Sequence, residues 1–208
     1  MVTKAEIEKA ARKIADEVLK GKVPLAKILE KVNPKVGEQE YNTNGTALKF
    51  ISEENPKLLY SHWDFFQNLL RSNNNYLKMH ALYIIANLCT VDKEGKFDLM
   101  FEDFYDLLDY DSLMIANHTA LVLGKIAKIK PKMREKVTEQ LLNIDSTHWE
   151  PKRKDLIKSY VIKAFREYFE LAKNQEEIYK FVSNQLNTGS PSTNKEAAEF
   201  LKKFDKIG

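Results

Sequence analysis

The chain has 208 residues, 43% of them hydrophobic, 11% aromatic and 30% charged, with a formal net charge of +3; this is a globular inventory that excludes a disordered or fibrous protein. Seven Gly and six Pro leave no flexible linker between halves, and a single cysteine, Cys89, excludes an intrachain disulfide and fits a reducing compartment. The opening Met1-Val2-Thr3-Lys4-Ala5-Glu6 turns charged at once, and Lys78, His80, Asn87, Asn117 and His118 break the apolar runs, so a soluble cytoplasmic protein without signal peptide or membrane span is expected.

Thr3 with Glu6 three residues later forms a capping box, and Ile7, Ala11, Ile14 and Val18 recur at helical spacing up to Gly21. Pro24 opens a second helix carrying Leu25, Ile28, Leu29 and Val32, which Asn33-Pro34 closes. Residues 3–32 thus predict a helical hairpin. From Asn33 to Gly45 one Pro, two Gly and mostly polar residues predict an irregular segment, a candidate functional loop.

A short pattern then repeats: Thr46-Ala47-Leu48, His80-Ala81-Leu82, Thr119-Ala120-Leu121, Lys163-Ala164-Phe165 and a degenerate Glu196-Ala197-Ala198. Successive alanines stand 34, 39, 44 and 33 positions apart, the period of two-helix solenoid units. Each of the first four is followed by a second helical segment ending near Leu69-Leu70, Leu107-Leu108, Leu141-Leu142, or Val182 with Leu186. The small Ala side chain lets a neighbouring helix approach closely, and Gly124, one turn after Ala120, is expected to serve the same purpose. Segments 76–89 and 112–129 are apolar on more than one face and belong at the centre of a stack, whereas 156–172 carries one apolar stripe opposite a solvated side of Lys158, Lys163, Arg166 and Glu170. Asn55-Pro56, Lys130-Pro131 and Glu150-Pro151 mark further helix starts, and no alternating stretch predicts a strand.

From about 42 to 206 this period and Ala-Leu motif resemble those of HEAT-like and armadillo-like repeat proteins. The resemblance implies an all-α fold, a right-handed α-solenoid of about five helical hairpins forming one domain over residues 1–208. It also implies a non-catalytic scaffold that binds a protein along the surface made by the second helices.

Catalytic chemistry finds little support. The histidines read His62-Trp63, His80-Ala81, His118-Thr119 and His148-Trp149, so the His-Glu pairs with which HEAT-like deoxyhypusine hydroxylases hold iron are missing. No H-E-x-x-H, C-x-x-C, P-loop or G-x-G-x-x-G occurs, Cys89 reads as core, and no metal, cofactor or catalytic residue is expected. His80 and His118 read as polar residues at helix edges. Trp63-Asp64 bears a superficial likeness to the groove of HEAT-like alkylpurine DNA glycosylases, but Leu59, Tyr60, Phe65, Phe66 and Leu70 around it favour packing. Trp149 falls in a polar turn and reads either as a partner anchor or as a staple over a neighbouring hairpin; Tyr105 and Tyr110 are further candidate anchors.

Charge separates along the chain. Residues 92–111 carry eight acidic residues against Lys93 and Lys96, and residues 125–166 are basic. Within the basic segment Lys130, Lys132, Lys152, Arg153, Lys154, Lys158, Lys163 and Arg166 are the candidate residues for an acidic partner or nucleic-acid phosphates, which makes a nucleic-acid-binding repeat the second reading and a HEAT-like enzyme the third. Opposite charges on neighbouring helices would otherwise steady each other, by about 0–1 kcal/mol per exposed pair.

Overall fold

A computed structural model describes residues 3–204, and among these no strand occurs. The helices, in chain order, are α1 (Lys4–Leu19), α2 (Leu25–Leu29), α3 (Glu38–Glu54), α4 (Pro56–Tyr60), α5 (Trp63–Leu70), α6 (Asn75–Leu88), α7 (Lys96–Leu99), α8 (Phe101–Tyr105), α9 (Leu113–Ile129), α10 (Arg134–Leu142), α11 (Pro151–Tyr168), α12 (Gln175–Ser183) and α13 (Pro191–Phe204). Short 3-10 turns at Asp106–Asp109, Pro131–Met133, Ile144–Ser146 and Phe169–Leu171 link several of them. The contacts divide the chain into two compact units, one ending at Gly95 and one starting at Lys96.

Local chemistry sets most of the boundaries. Thr3 and Glu6 close the expected capping box, the Glu6 N–H donating to Thr3 Oγ1 and the Thr3 N–H to Glu6 Oε2. The turn after α1 passes through Gly21 at φ +70°, a left-handed conformation that side chains disfavour. Asn74 caps α6 by accepting from the N–H groups of Tyr76 and Leu77, and Pro56 and Pro151 occupy first-turn positions of α4 and α11, where a missing N–H costs nothing.

In the first unit the long helices α1, α3 and α6 pack side by side, with α5 against α6. In the second, α11 lies between α9 and α13, and α10 packs against α9 and α12. Each long helix from α3 onward carries one motif alanine, and Ala47, Ala81, Ala120, Ala164 and Ala197 are all fully buried. The second segments are α5 and α10, which end at the expected leucine pairs, the 3-10 turn after α8, which contains Leu107-Leu108, and α12, which ends at Ser183 between Val182 and Leu186. Gly124 lets α9 approach α11 so closely that a Cβ there would stand 2.5 Å from Ala164 Cα and 2.7 Å from its carbonyl oxygen. Trp63 and Cys89 are core residues, Trp63 meeting Tyr60 edge-on at 5.8 Å between ring centroids.

Three sequence expectations need correction. The irregular segment expected from Asn33 to Gly45 ends at Gly37, because α3 starts at Glu38, with Glu38 and Glu40 favourably placed in its first turn. Gly45 lies inside this helix, and the ring of His80 fills the space beside it: a Cβ at Gly45 would sit 2.8 Å from His80 Cγ. His80 is accordingly buried between α3 and α6 and is no helix-edge residue. The polar side of 156–172 expected to be solvated is so only in part: Glu170 is exposed, but Lys158, Lys163 and Arg166 are drawn into contacts. α13 covers part of it, the long stems of Lys163 and Arg166 running to Glu196, and Lys158 is only 9% exposed.

Candidate functional site

Folding spends most of the basic segment internally. Lys158 Nζ lies 2.8 Å from Asp145 Oδ1, and Lys154 Nζ donates to the Asp145 carbonyl at 2.7 Å. Lys163 reaches Glu196 Oε1 at 3.3 Å, while Arg166 meets Glu196 Oε2 at 2.9 Å and Glu199 at 3.6 Å. Lys130 pairs with Asp98 at 2.8 Å, and Lys136 with Glu102, so the acidic stretch 92–111 and the basic stretch that follows hold each other. Of the eight candidate cations, Lys132, Lys152 and Arg153 are exposed and make no ion pair among the described residues. The structure thus brings five of them onto internal partners and leaves three on the surface.

Trp149 folds back onto the preceding hairpin. Its indole N–H donates to the Leu108 carbonyl at 3.1 Å, and its ring lies 4.6 Å from that of His148. The His148 backbone N–H donates to Asp109 Oδ1 at 2.7 Å, so the turn before α11 is pinned to the turn after α8. Tyr105 leans on Phe101 with ring centroids 5.4 Å apart, and Tyr105, Tyr110 and Trp149 are each half-buried.

Two surfaces that the sequence reading did not single out are built by packing. The first crosses the long helices of the first unit. Arg12 of α1 lies over the Phe50 ring of α3 at 3.8 Å and also pairs with Glu54; Lys49 of α3 lies over the Tyr83 ring of α6 at 4.8 Å. Each such contact is worth about 0.5–1 kcal/mol at an exposed site. Along α6, Tyr76, Met79 and Tyr83 recur at i, i+3 and i+7, which keeps them on one helix face; Tyr76 is 44% exposed and the other two are half-buried, although the rest of α6 is almost wholly core. The spacing is legible in retrospect, but the apolar character of the whole segment 76–89 hides it.

The second surface is a groove of about 880 Å³ between α10 and α12. Glu135 and Glu139 come from α10, Glu176, Glu177, Tyr179 and Lys180 from α12, and Phe169 and Lys173 from the connection between α11 and α12. Lys173 is paired with Glu135 at 2.6 Å, whereas the carboxylates of Glu139, Glu176 and Glu177 have no hydrogen-bond or ion-pair partner among the described residues.

Burial shifts two titratable groups in the core. Burial, with a smaller contribution from the charge of Lys49, pushes the His80 pKa down to about 4, and its Nε2 has no hydrogen-bond partner among the described residues. Burial also lowers the Lys78 pKa; its ammonium donates to the Leu70 carbonyl at 2.5 Å. Among the described residues no three His, Cys, Asp or Glu side chains are placed to share a metal ion, and no helix is long and apolar enough to cross a membrane.

No protein-family model matches the chain, and no curated protein sequence matches it. Solved structures do. A designed armadillo repeat protein superposes with a TM-score of 0.58 at 15% identity, covering 97% of this chain and 94% of that one. A second designed armadillo repeat protein, solved in complex with the peptide (KR)4, gives 0.61 at 16% identity over 96% and 90%. A further engineered protein gives 0.54 at 14% identity over 97% and 91%. The chain therefore has an armadillo-like helical-repeat fold.

Proposed function

We propose that this chain is a non-catalytic, cytoplasmic protein-binding scaffold acting as one repeat domain, and that it docks a partner segment on the exposed face of α3 and α6. The observation that carries the reading is the row Tyr76, Met79 and Tyr83 beside Phe50: large side chains held partly exposed on helices whose other faces are core. Aromatic residues and Met are enriched in protein interfaces, the aromatics because they bury much area at little entropic cost and Met because its flexible thioether adapts to irregular surfaces. The lysine and arginine over the rings keep this face from being a bare apolar patch and leave it able to meet both apolar and charged groups of a partner. Helical-repeat stacks offer extended surfaces of this kind, and the designed armadillo protein that holds the peptide (KR)4 is an instance on a similar fold.

The test is selection of binding peptides from a displayed random library against the full chain, with affinities measured on the purified protein. Tyr76→Ala/Tyr83→Ala should weaken the selected peptides by at least about tenfold, since interface aromatics commonly contribute 2 kcal/mol or more. Peptides that bind the variant as tightly as the parent protein would remove this face from consideration. A second reading, nucleic-acid binding, is favoured by the exposed cations Lys132, Lys152 and Arg153. Salt-sensitive binding of a random oligonucleotide that is lost in Lys152→Glu/Arg153→Glu would bring that reading to the front.

A further inference from the structure

We propose that the groove between α10 and α12 docks a lysine- or arginine-rich segment of a partner protein. The site is separate from the α3/α6 face and lies in the other compact unit, so either surface can fail without the other. Its concavity of about 880 Å³ is large enough for several side chains. Four carboxylates and two ammonium groups line it, in a chain whose net charge is +3, so its negative character is a local feature set against the charge of the whole.

Helix-end electrostatics accounts for part of this cluster and leaves the rest unexplained. Glu176 and Glu177 occupy the first turn of α12, where negative charge is favourable without any ligand. Glu139 stands in the second half of α10, where a carboxylate opposes the helix dipole, and it has no partner among the described residues to offset that. Its place is explained if the missing cation comes from outside.

One ammonium group of the chain already stands among these carboxylates. Lys173 extends with 84% of its side chain exposed and sets its ammonium 2.6 Å from Glu135 Oε1, inside the lining. Beside the carboxylates, the half-buried Tyr179 presents ring surface, while Phe169 is buried at the base of the groove. A lysine or arginine matches this combination, its methylene stem lying on the Tyr179 ring and its charged end among the carboxylates. An acidic segment or a phosphate backbone would meet repulsion at the same atoms.

The experiment uses the full chain and two dye-labelled peptides, acetyl-(Lys-Ala)3-amide and acetyl-(Glu-Ala)3-amide, followed by fluorescence anisotropy at low salt. The lysine peptide should bind and the glutamate peptide should not. Glu139→Gln/Glu176→Gln/Glu177→Gln should weaken lysine-peptide binding by at least about tenfold. A control with the same change in charge on the first unit, Glu8→Gln/Glu30→Gln/Glu38→Gln, should leave it unchanged. Lys173→Gln, which releases Glu135, should tighten it by about twofold or more. Circular dichroism and the unfolding midpoint confirm that each variant is folded. Absence of binding, equal loss in both triple variants, preference for the glutamate peptide, or a self-association lost in the groove variant would each overturn the proposal, the last assigning the groove to a second copy of the chain.

Discussion

Replacing Gly124 by alanine sets two opposing effects against each other within α9. Glycine in a helix interior costs about 1 kcal/mol relative to alanine, so the substitution taken alone should stabilise the protein by that amount. The neighbouring helix reverses the sign. A Cβ at this position would stand 2.5 Å from Ala164 Cα and 2.7 Å from both its Cβ and its carbonyl oxygen, distances that real side chains do not adopt. The obstructing atoms are backbone or attached directly to it, so no rotamer change relieves the clash, and α9 and α11 must part. Overpacking of this kind costs about 1–3 kcal/mol, and a backbone obstacle belongs at the upper end. The net expectation is a loss of about 2 kcal/mol, equivalent to a fall of roughly 4–8 °C in melting temperature for a chain of this size. Urea unfolding of Gly124→Ala beside the parent protein measures it. A variant whose midpoint is unchanged or raised would show that the close approach of α9 and α11 is wrong.

Three further outcomes test other parts of the fold. His80 has a folded pKa of about 4 against 6.5 for the free side chain, so the unfolded state takes up the proton first; the stability that neutral His80 contributes is complete above about pH 6.5 and is lost as pH falls to about 4, up to about 3 kcal/mol in all. His80→Leu should flatten that decline in urea midpoint against pH, and parallel curves for the two proteins would contradict the burial of a neutral ring. Trp149→Phe keeps a ring in the turn before α11 but removes the indole donor to Leu108, so amide exchange through residues 144–149 should quicken with a loss of about 1 kcal/mol; unchanged exchange would mean the staple does not form. Tyr168→Phe deletes the buried hydroxyl that stands 3.0 Å from Thr138 Oγ1 and should cost about 1 kcal/mol in urea unfolding, while Thr138 keeps its bond to the Arg134 carbonyl.

The repeat architecture was legible in the residues because it depends on near-neighbour chemistry. The capping box at Thr3, the proline starts at Pro56 and Pro151, and the alanines spaced about a repeat apart each act within a turn or two of their own helix. They fix which segments are helical and which face of each is apolar, and Gly124 extends the same logic to the closeness of two axes. Gly45 shows where such reading stops. A glycine among polar residues signals an irregular segment unless one knows that the His80 ring, 35 positions later, occupies the space where a Cβ would go.

The surfaces belong to tertiary structure altogether. Lys154, Lys158, Lys163 and Arg166 look like a basic face in the one-dimensional pattern, yet their charges end on Asp145, Glu196 and Glu199, residues that only helix packing brings within reach. Tyr76, Met79 and Tyr83 are indistinguishable in sequence from the core residues between them until α3 and α5 have claimed the other sides of α6. Periodicity determines a helix and its faces; which face is covered, which charge is neutralised and where a groove is left open are set by the neighbours, and their placement depends on contacts far apart in the chain.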